Sequence, residues 1–175
     1  MNLSRASAAL DDATKTLRVL ILEDSALDAE LIVLELRGFG YAPEWTRVDT
    51  EEDFRAQLDA GLDLVLADYT LPQFDAISAL KILRGQGLST PFIVVTGSIT
   101  EETAVSILKQ GADDFLLKDR LTRLGPAVSG ALQQRRLHDE SRRAQQLLIE
   151  HEERYRRLIT RMSALVVELD GTKLE

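Results

Sequence analysis

The chain has 175 residues, 45% of them apolar and none of them cysteine, with a formal net charge of −8. That length and apolar content predict one packed domain with an extension, and the missing cysteines exclude disulfides, thiolate metal sites and a thiol nucleophile. The charge is uneven: residues 17–126 hold 19 acids and 10 bases, net −9, an acidic globule without the basic footprint nucleic acid needs, while residues 129–161 hold 8 Arg and 5 acids, net +3.

Residues 1–16 are polar and aperiodic, so a flexible leader is expected there. They lack the apolar core of a signal peptide, and no apolar stretch approaches the length of a membrane span, so a cytoplasmic chain is expected, with no membrane partner. From Leu17 short apolar runs alternate with amphipathic stretches. RVLIL (18–22), DLVLA (63–67) and PFIVV (91–95) read as strands buried on both faces, with weaker strands at PEWTRV (43–48) and DFLL (114–117). Helices are expected over SALDAELIVLELRG, at about 50–60, over DAISALKILRGQG and at about 100–110. Gly38 and Gly40, Gly85 and Gly87, and Gly111 mark helix ends, and Pro91 opens a strand where its missing N–H does least harm.

Five β-then-α repeats with near-continuous apolar strands predict a doubly wound α/β fold, a parallel sheet covered on both faces. In such folds ligands gather at the carboxyl ends of the strands. The residues placed there are Glu23 and Asp24 after the first run, Asp68 after the second, Thr96, Gly97 and Ser98 after the third, and Lys118 after the last. Three carboxylates in one place repel, and a hard cation removes the conflict. Oxygen-only ligands suit Mg²⁺ or Mn²⁺, and the absence of nearby His or Cys disfavours zinc. With the ammonium of Lys118 and the hydroxyl of Thr96, the set matches phosphoryl transfer with Asp68 as nucleophile. Taken singly these residues are ordinary, since Asp24 or Ser25 can cap the first helix and Lys118 can be a solvated charge.

Together, LEDS, LVLADYTLP, VVTGS and GADDFLLKD resemble the receiver domain of bacterial two-component response regulators, over roughly residues 17–136. The resemblance implies a flavodoxin-like five-stranded sheet in the order 2-1-3-4-5. It implies that Asp68 takes a phosphoryl group from a histidine kinase or phosphotransfer protein. Mg²⁺ would be held by Glu23, Asp24, Asp68 and the backbone carbonyl of Thr70, and Thr96 and Lys118 would contact the phosphoryl oxygens. Thr96 and Phe115 would form the switch, and the only chemistry would be self-phosphorylation and self-dephosphorylation. Thr70 and Ser98 would tune the rate of dephosphorylation. The chain departs from the family pattern in three places. Glu23 stands for the commoner Asp, Phe115 for the commoner Tyr, and Asp119 for the usual proline, so the turn bearing Lys118 is expected to differ. Trp45 is expected to pack and Tyr69 to edge the site.

Beyond Gly125 and Pro126 the last helix is expected to run on. Leu137, Ser141, Ala144, Leu148, His151, Tyr155, Leu158 and Met162 recur in steps of four and three, the seam of a coiled coil. Glu150 with Arg154, Glu152 with Arg156 and Glu153 with Arg157 stand in the favoured i to i+4 order. The expected division is therefore a leader (1–16), a receiver domain (17–126), an extended helix pairing in a homodimer (127–162), and residues 163–175. The stretch HEERYRRLITRMSALVVELDG resembles the start of a PAS domain, where a signalling helix meets the first strand. GTKLE resembles a cloning remnant, which implies a downstream PAS or output module beyond this chain. His138 is read as solvated rather than as a kinase phosphoacceptor. Two rival readings are a receiver used only as a dimerisation scaffold and a haloacid dehalogenase type phosphohydrolase, which wants a second Asp where Thr70 stands.

Overall fold

A computed structural model describes residues 15–171, with side chains described for residues 15–159. The leader residues 1–14 and the terminal residues 172–175 lie outside the described residues, as do the side chains of Met162 and its neighbours. The order of elements is β1 (Lys15–Leu22), α1 (Ala26–Gly38), β2 (Tyr41–Val48), α2 (Glu51–Gln57), β3 (Leu64–Ala67), α3 (Ala76–Gly85), β4 (Phe92–Thr96), α4 (Glu101–Lys109), β5 (Asp114–Leu117), a 3₁₀ segment (Lys118–Arg123) and α5 (Leu124–Gly171). All strand pairs are parallel and the order across the sheet is β2-β1-β3-β4-β5, the expected doubly wound topology.

The alternation of side chains along each strand splits the core in two. Leu20, Leu22, Val65, Ala67, Phe92 and Val94 face one way and pack with Phe54 of α2, Leu80 and Leu83 of α3 and Ile107 of α4. Val19, Ile21, Leu64, Leu66, Ile93 and Val95 face the other way and meet Ile32, Val33 and Leu36 of α1 and Leu124, Val128 and Leu132 of α5. Each central strand residue is thus buried on one face or the other, which is why its sequence reads as an unbroken apolar run. Ser25, not Asp24, caps α1, its hydroxyl accepting from the Asp28 N–H at 3.2 Å. Asp24 is thereby left for the sheet edge. Thr50, Asp75 and Thr100 cap α2, α3 and α4 in the same way.

Some expectations need correction. β1 starts at Lys15, inside the stretch expected as leader, because Lys15 and Thr16 continue the register with Tyr41 and Ala42. Trp45 packs outside the core: β2 is an edge strand, and the residue is 36% exposed beside the outward-facing Leu27, Leu31 and Leu34 of α1. Lys118 and Asp119 open the 3₁₀ segment and are joined by a trans bond, so the turn at Asp119 has its own form, with Arg120 at φ −128° and ψ 36°. α5 begins at Leu124, two residues before Pro126, which sits in the first turn where its missing N–H is harmless. The helix is unbroken to Gly171, so no strand begins at residues 163–171.

The chain divides into two units, residues 1–135 and 136–175. In the second, the described side chains are almost all exposed, including Leu137, Leu147, Leu148, Ile149, Tyr155, Leu158 and Ile159. Among the described residues no helix is long and apolar enough to cross a membrane.

Candidate functional site

The backbone ladder carries two of the acids past the ends of their strands. The Glu23 N–H donates to the Val48 carbonyl at 2.9 Å and the Asp68 N–H to the Leu22 carbonyl at 2.8 Å, which fixes both residues at the carboxyl edge of the sheet. The Arg47 guanidinium braces the turn, donating to the carbonyl oxygens of Glu23 at 2.8 Å and Asp24 at 3.3 Å. At the same edge Thr96 pairs with Leu117, so the residue after β5, Lys118, is delivered next to β3 and β4.

Four of the expected side chains, Glu23, Asp24, Asp68 and Lys118, come together. Lys118 Nζ donates to Asp68 Oδ2 at 2.8 Å and lies 2.8 Å from Glu23 Oε2. One oxygen from each of Glu23, Asp24 and Asp68 falls within 4.8 Å of the other two. Glu23 is 1% exposed and Asp68 9%, while Asp24 is exposed, so the trio runs from the core to the surface. Asp68 Oδ1 accepts the Thr70 N–H at 3.1 Å, and Glu23 Oε1 accepts the Ser25 N–H at 3.1 Å.

Burial pushes the Glu23 carboxyl above its ordinary 4.5, while the ammonium of Lys118 and the Ser25 N–H pull the other way. Burial also acts against the charge on Lys118. Its contacts with Asp28, Asp68 and Glu23 outweigh that cost and hold the ammonium above its ordinary 10.5.

Thr96 ends β4 and Phe115 lies on the neighbouring β5, and the Thr96 hydroxyl is not hydrogen-bonded to Asp68. The Thr96 hydroxyl is buried and donates to the Ser98 carbonyl at 3.1 Å. Phe115 is half-buried against the core cluster that also holds Val94 and Ala67, and Tyr69 packs there too. Sequence reasoning missed Asp28: its Oδ2 accepts from Lys118 Nζ at 2.6 Å, the shortest of the three contacts that ammonium makes. The signal was available, because the first turn of α1 starts at the same strand end as Glu23.

The donor set fits a hard divalent cation. Glu23 Oε2 is buried and its near partner is the Lys118 ammonium at 2.8 Å, out of line for a well-directed hydrogen bond. Three carboxylates, two of them buried, share one ammonium at this edge, and the negative charge left over is of the kind a hard cation with oxygen ligands balances.

Fold and site together define a doubly wound parallel sheet with an acidic carboxyl edge, and comparison with known proteins gives its family. The response regulator receiver domain model matches residues 19–128. The chain belongs to that family. It is 33% identical over 106 residues to the cell cycle transcriptional regulator CtrA of Caulobacter vibrioides, a match covering 58% of this chain and 44% of that protein. It is 35% identical over 102 residues to the transcriptional regulatory protein DltR of Streptococcus agalactiae, covering 58% and 45%. The match thus spans less than half the length of either relative. Among solved structures, a Francisella response regulator receiver domain superposes with a TM-score of 0.57 at 27% identity, covering 67% of this chain and 97% of that one. A Clostridium thermocellum receiver domain protein, 20% identical with a TM-score of 0.60 and covering 69% and 98%, shares the fold.

Proposed function

We propose that the chain is a phosphoacceptor switch in which Asp68 takes a phosphoryl group from a histidine kinase or phosphotransfer protein. A carboxylate oxygen of Asp68 forms the new O–P bond. The N–P bond of the donor phosphohistidine breaks, and its electron pair stays on the imidazole nitrogen. The observation that carries this reading is the convergence of Lys118, Glu23 and Asp24 on a nucleophile fixed at a strand end, with Lys118 Nζ 2.8 Å from Asp68 Oδ2. Mg²⁺ or Mn²⁺ would be held by Glu23, Asp24, Asp68 and the Thr70 carbonyl, and when bound it supplies positive charge against the transferring phosphoryl oxygens. Lys118 supplies the second positive charge from the opposite element, and Asp68 presents its oxygen in a fixed orientation because Thr70 N–H holds the other one.

Switching then requires Thr96 to leave the Ser98 carbonyl for a phosphoryl oxygen and Phe115 to complete its burial. Moving such an equilibrium from one per cent to ninety-nine per cent takes about 5.5 kcal/mol of preference for the active state, within reach of charge-assisted hydrogen bonds and a cation. The output is a change in pairing between two copies through the C-terminal helix, read by a downstream module. Support for pairing is the exposed apolar set at Leu137, Leu148, Tyr155 and Leu158, spaced as a narrow seam.

The test is incubation with acetyl phosphate and Mg²⁺ followed by intact mass. The expected result is a one-phosphoryl adduct that vanishes without Mg²⁺ and in Asp68→Asn. Absence of any adduct on the native chain would leave the dimerisation scaffold as the surviving reading, and continuing release of phosphate from monoesters would favour the hydrolase. Sedimentation with and without beryllofluoride then reads whether the paired state follows the site.

A further inference from the structure

We propose that Asp28 is a positioning residue that keeps the Lys118 ammonium at the site while the other carboxylates turn to a divalent cation. This inference rests on the metal-binding reading above. An ammonium carries three protons and no acceptor. In this structure Lys118 directs hydrogen bonds at Asp28 Oδ2 (2.6 Å) and Asp68 Oδ2 (2.8 Å), with Glu23 Oε2 in ion-pair range at 2.8 Å. Two of these three acids, Glu23 and Asp68, belong to the trio whose oxygens lie together for a cation, and Asp28 does not. A lysine bonded to the very oxygens a cation needs competes with that cation. Its side chain is only 21% exposed, so on being displaced it would be left largely desolvated without a partner.

Asp28 resolves that conflict. It sits in the first turn of α1, its own N–H tied to the capping hydroxyl of Ser25, where the helix N-terminus favours a negative charge. Its carboxylate is therefore a fixed anchor on the lysine that survives when Glu23 and Asp68 are engaged elsewhere. The anchored ammonium also stays within reach of a phosphoryl group on Asp68 and does not swing into solvent.

The experiment is calorimetric titration of MgCl₂ into the full chain and three variants: Asp28→Asn, Lys118→Met and the double variant. If Asp28 acts through Lys118, Asp28→Asn weakens Mg²⁺ binding about tenfold in the native background and less than about twofold when Lys118 is already Met, the non-additivity expected of residues in contact. An equal loss in both backgrounds would mean that Asp28 contributes only its charge, and overturns the proposal. So does an Asp28→Asn variant that binds Mg²⁺ like the native chain. Native protein that binds no Mg²⁺ at all would sink the metal-binding reading itself, an outcome distinct from both. Should Lys118→Met fail to fold, the lysine side-chain ammonium resonance gives a second readout. It is expected to remain protected from water exchange in the Mg²⁺-loaded native chain and to lose that protection in Asp28→Asn; equal protection in both overturns the role.

Discussion

At the amino edge of the sheet Arg18 meets Asp59 at 2.8 Å and Arg84 meets Asp113 at 3.2 Å, whereas at the carboxyl edge one ammonium, Lys118, faces Glu23, Asp28 and Asp68 together. The amino-edge acids also serve the backbone. Asp113 accepts the Phe92 N–H at 2.8 Å, Asp63 accepts the Arg18 N–H at 2.9 Å, and Arg84 donates to the carbonyls of Leu88, Thr90 and Gly111. Those charges close strand starts, and each arginine has a carboxylate of its own. At the other edge acids outnumber the cation that touches them, and the surplus sits partly buried. A balanced edge is built for stability; a surplus of buried acid is tolerated where a site has to bind a further cation.

The sharpest way to break that comparison is to remove one acid from each edge and measure unfolding by denaturant. Asp113→Ala leaves the Phe92 N–H without its acceptor and Arg84 without its counter-ion, so a loss of about 2–3 kcal/mol is expected. Asp68→Asn removes one of the surplus charges, and in the absence of Mg²⁺ the variant should be about as stable as the native chain or up to about 1 kcal/mol more so. With Mg²⁺ bound at the site as proposed, the native chain gains stability that the variant should not. If Asp68→Asn costs as much as Asp113→Ala, the two edges are alike and the reading of surplus charge is wrong.

Much of this was legible beforehand because the information is local. An apolar run such as DLVLA ends where the strand leaves the core, so the residue after it, Asp68, marks the sheet edge without any knowledge of tertiary contacts. Glu23, Asp24, Thr96 and Lys118 follow by the same rule. Asp28 did not, because the rule stops at the residues directly after each strand, and Asp28 lies one helical turn further on, with a contact to Lys118 that spans 90 positions. Trp45 was expected only to pack, and the sheet order adds where: on an edge strand, beside the outer leucines of α1. The amino-edge pairs, Arg18 with Asp59 and Arg84 with Asp113, are 41 and 29 residues apart and follow no motif.

The smallest effect separates the edges by sign. The hydrogen bond from Arg18, with help from the Gly61 N–H, holds the Asp59 carboxyl below its ordinary 3.8. A depressed folded value means that its contribution is present above the ordinary value and is lost as pH falls through the folded one. Glu23 is raised above 4.5, chiefly by burial. Between the ordinary and the raised value the folded state holds more protons than the unfolded, so stability declines as pH rises through that window. Melting curves taken from about pH 3 to about pH 7 without divalent ions should therefore show Asp59→Asn flattening the acid limb and Glu23→Gln flattening a decline on the neutral side. Asp59 is half exposed and its pair screened by water, so the acid-limb change is the minor one. Parallel shifts of the same sign in the two variants would mean that Glu23 is held as an ordinary ion pair, and the contrast between the two edges would go with it.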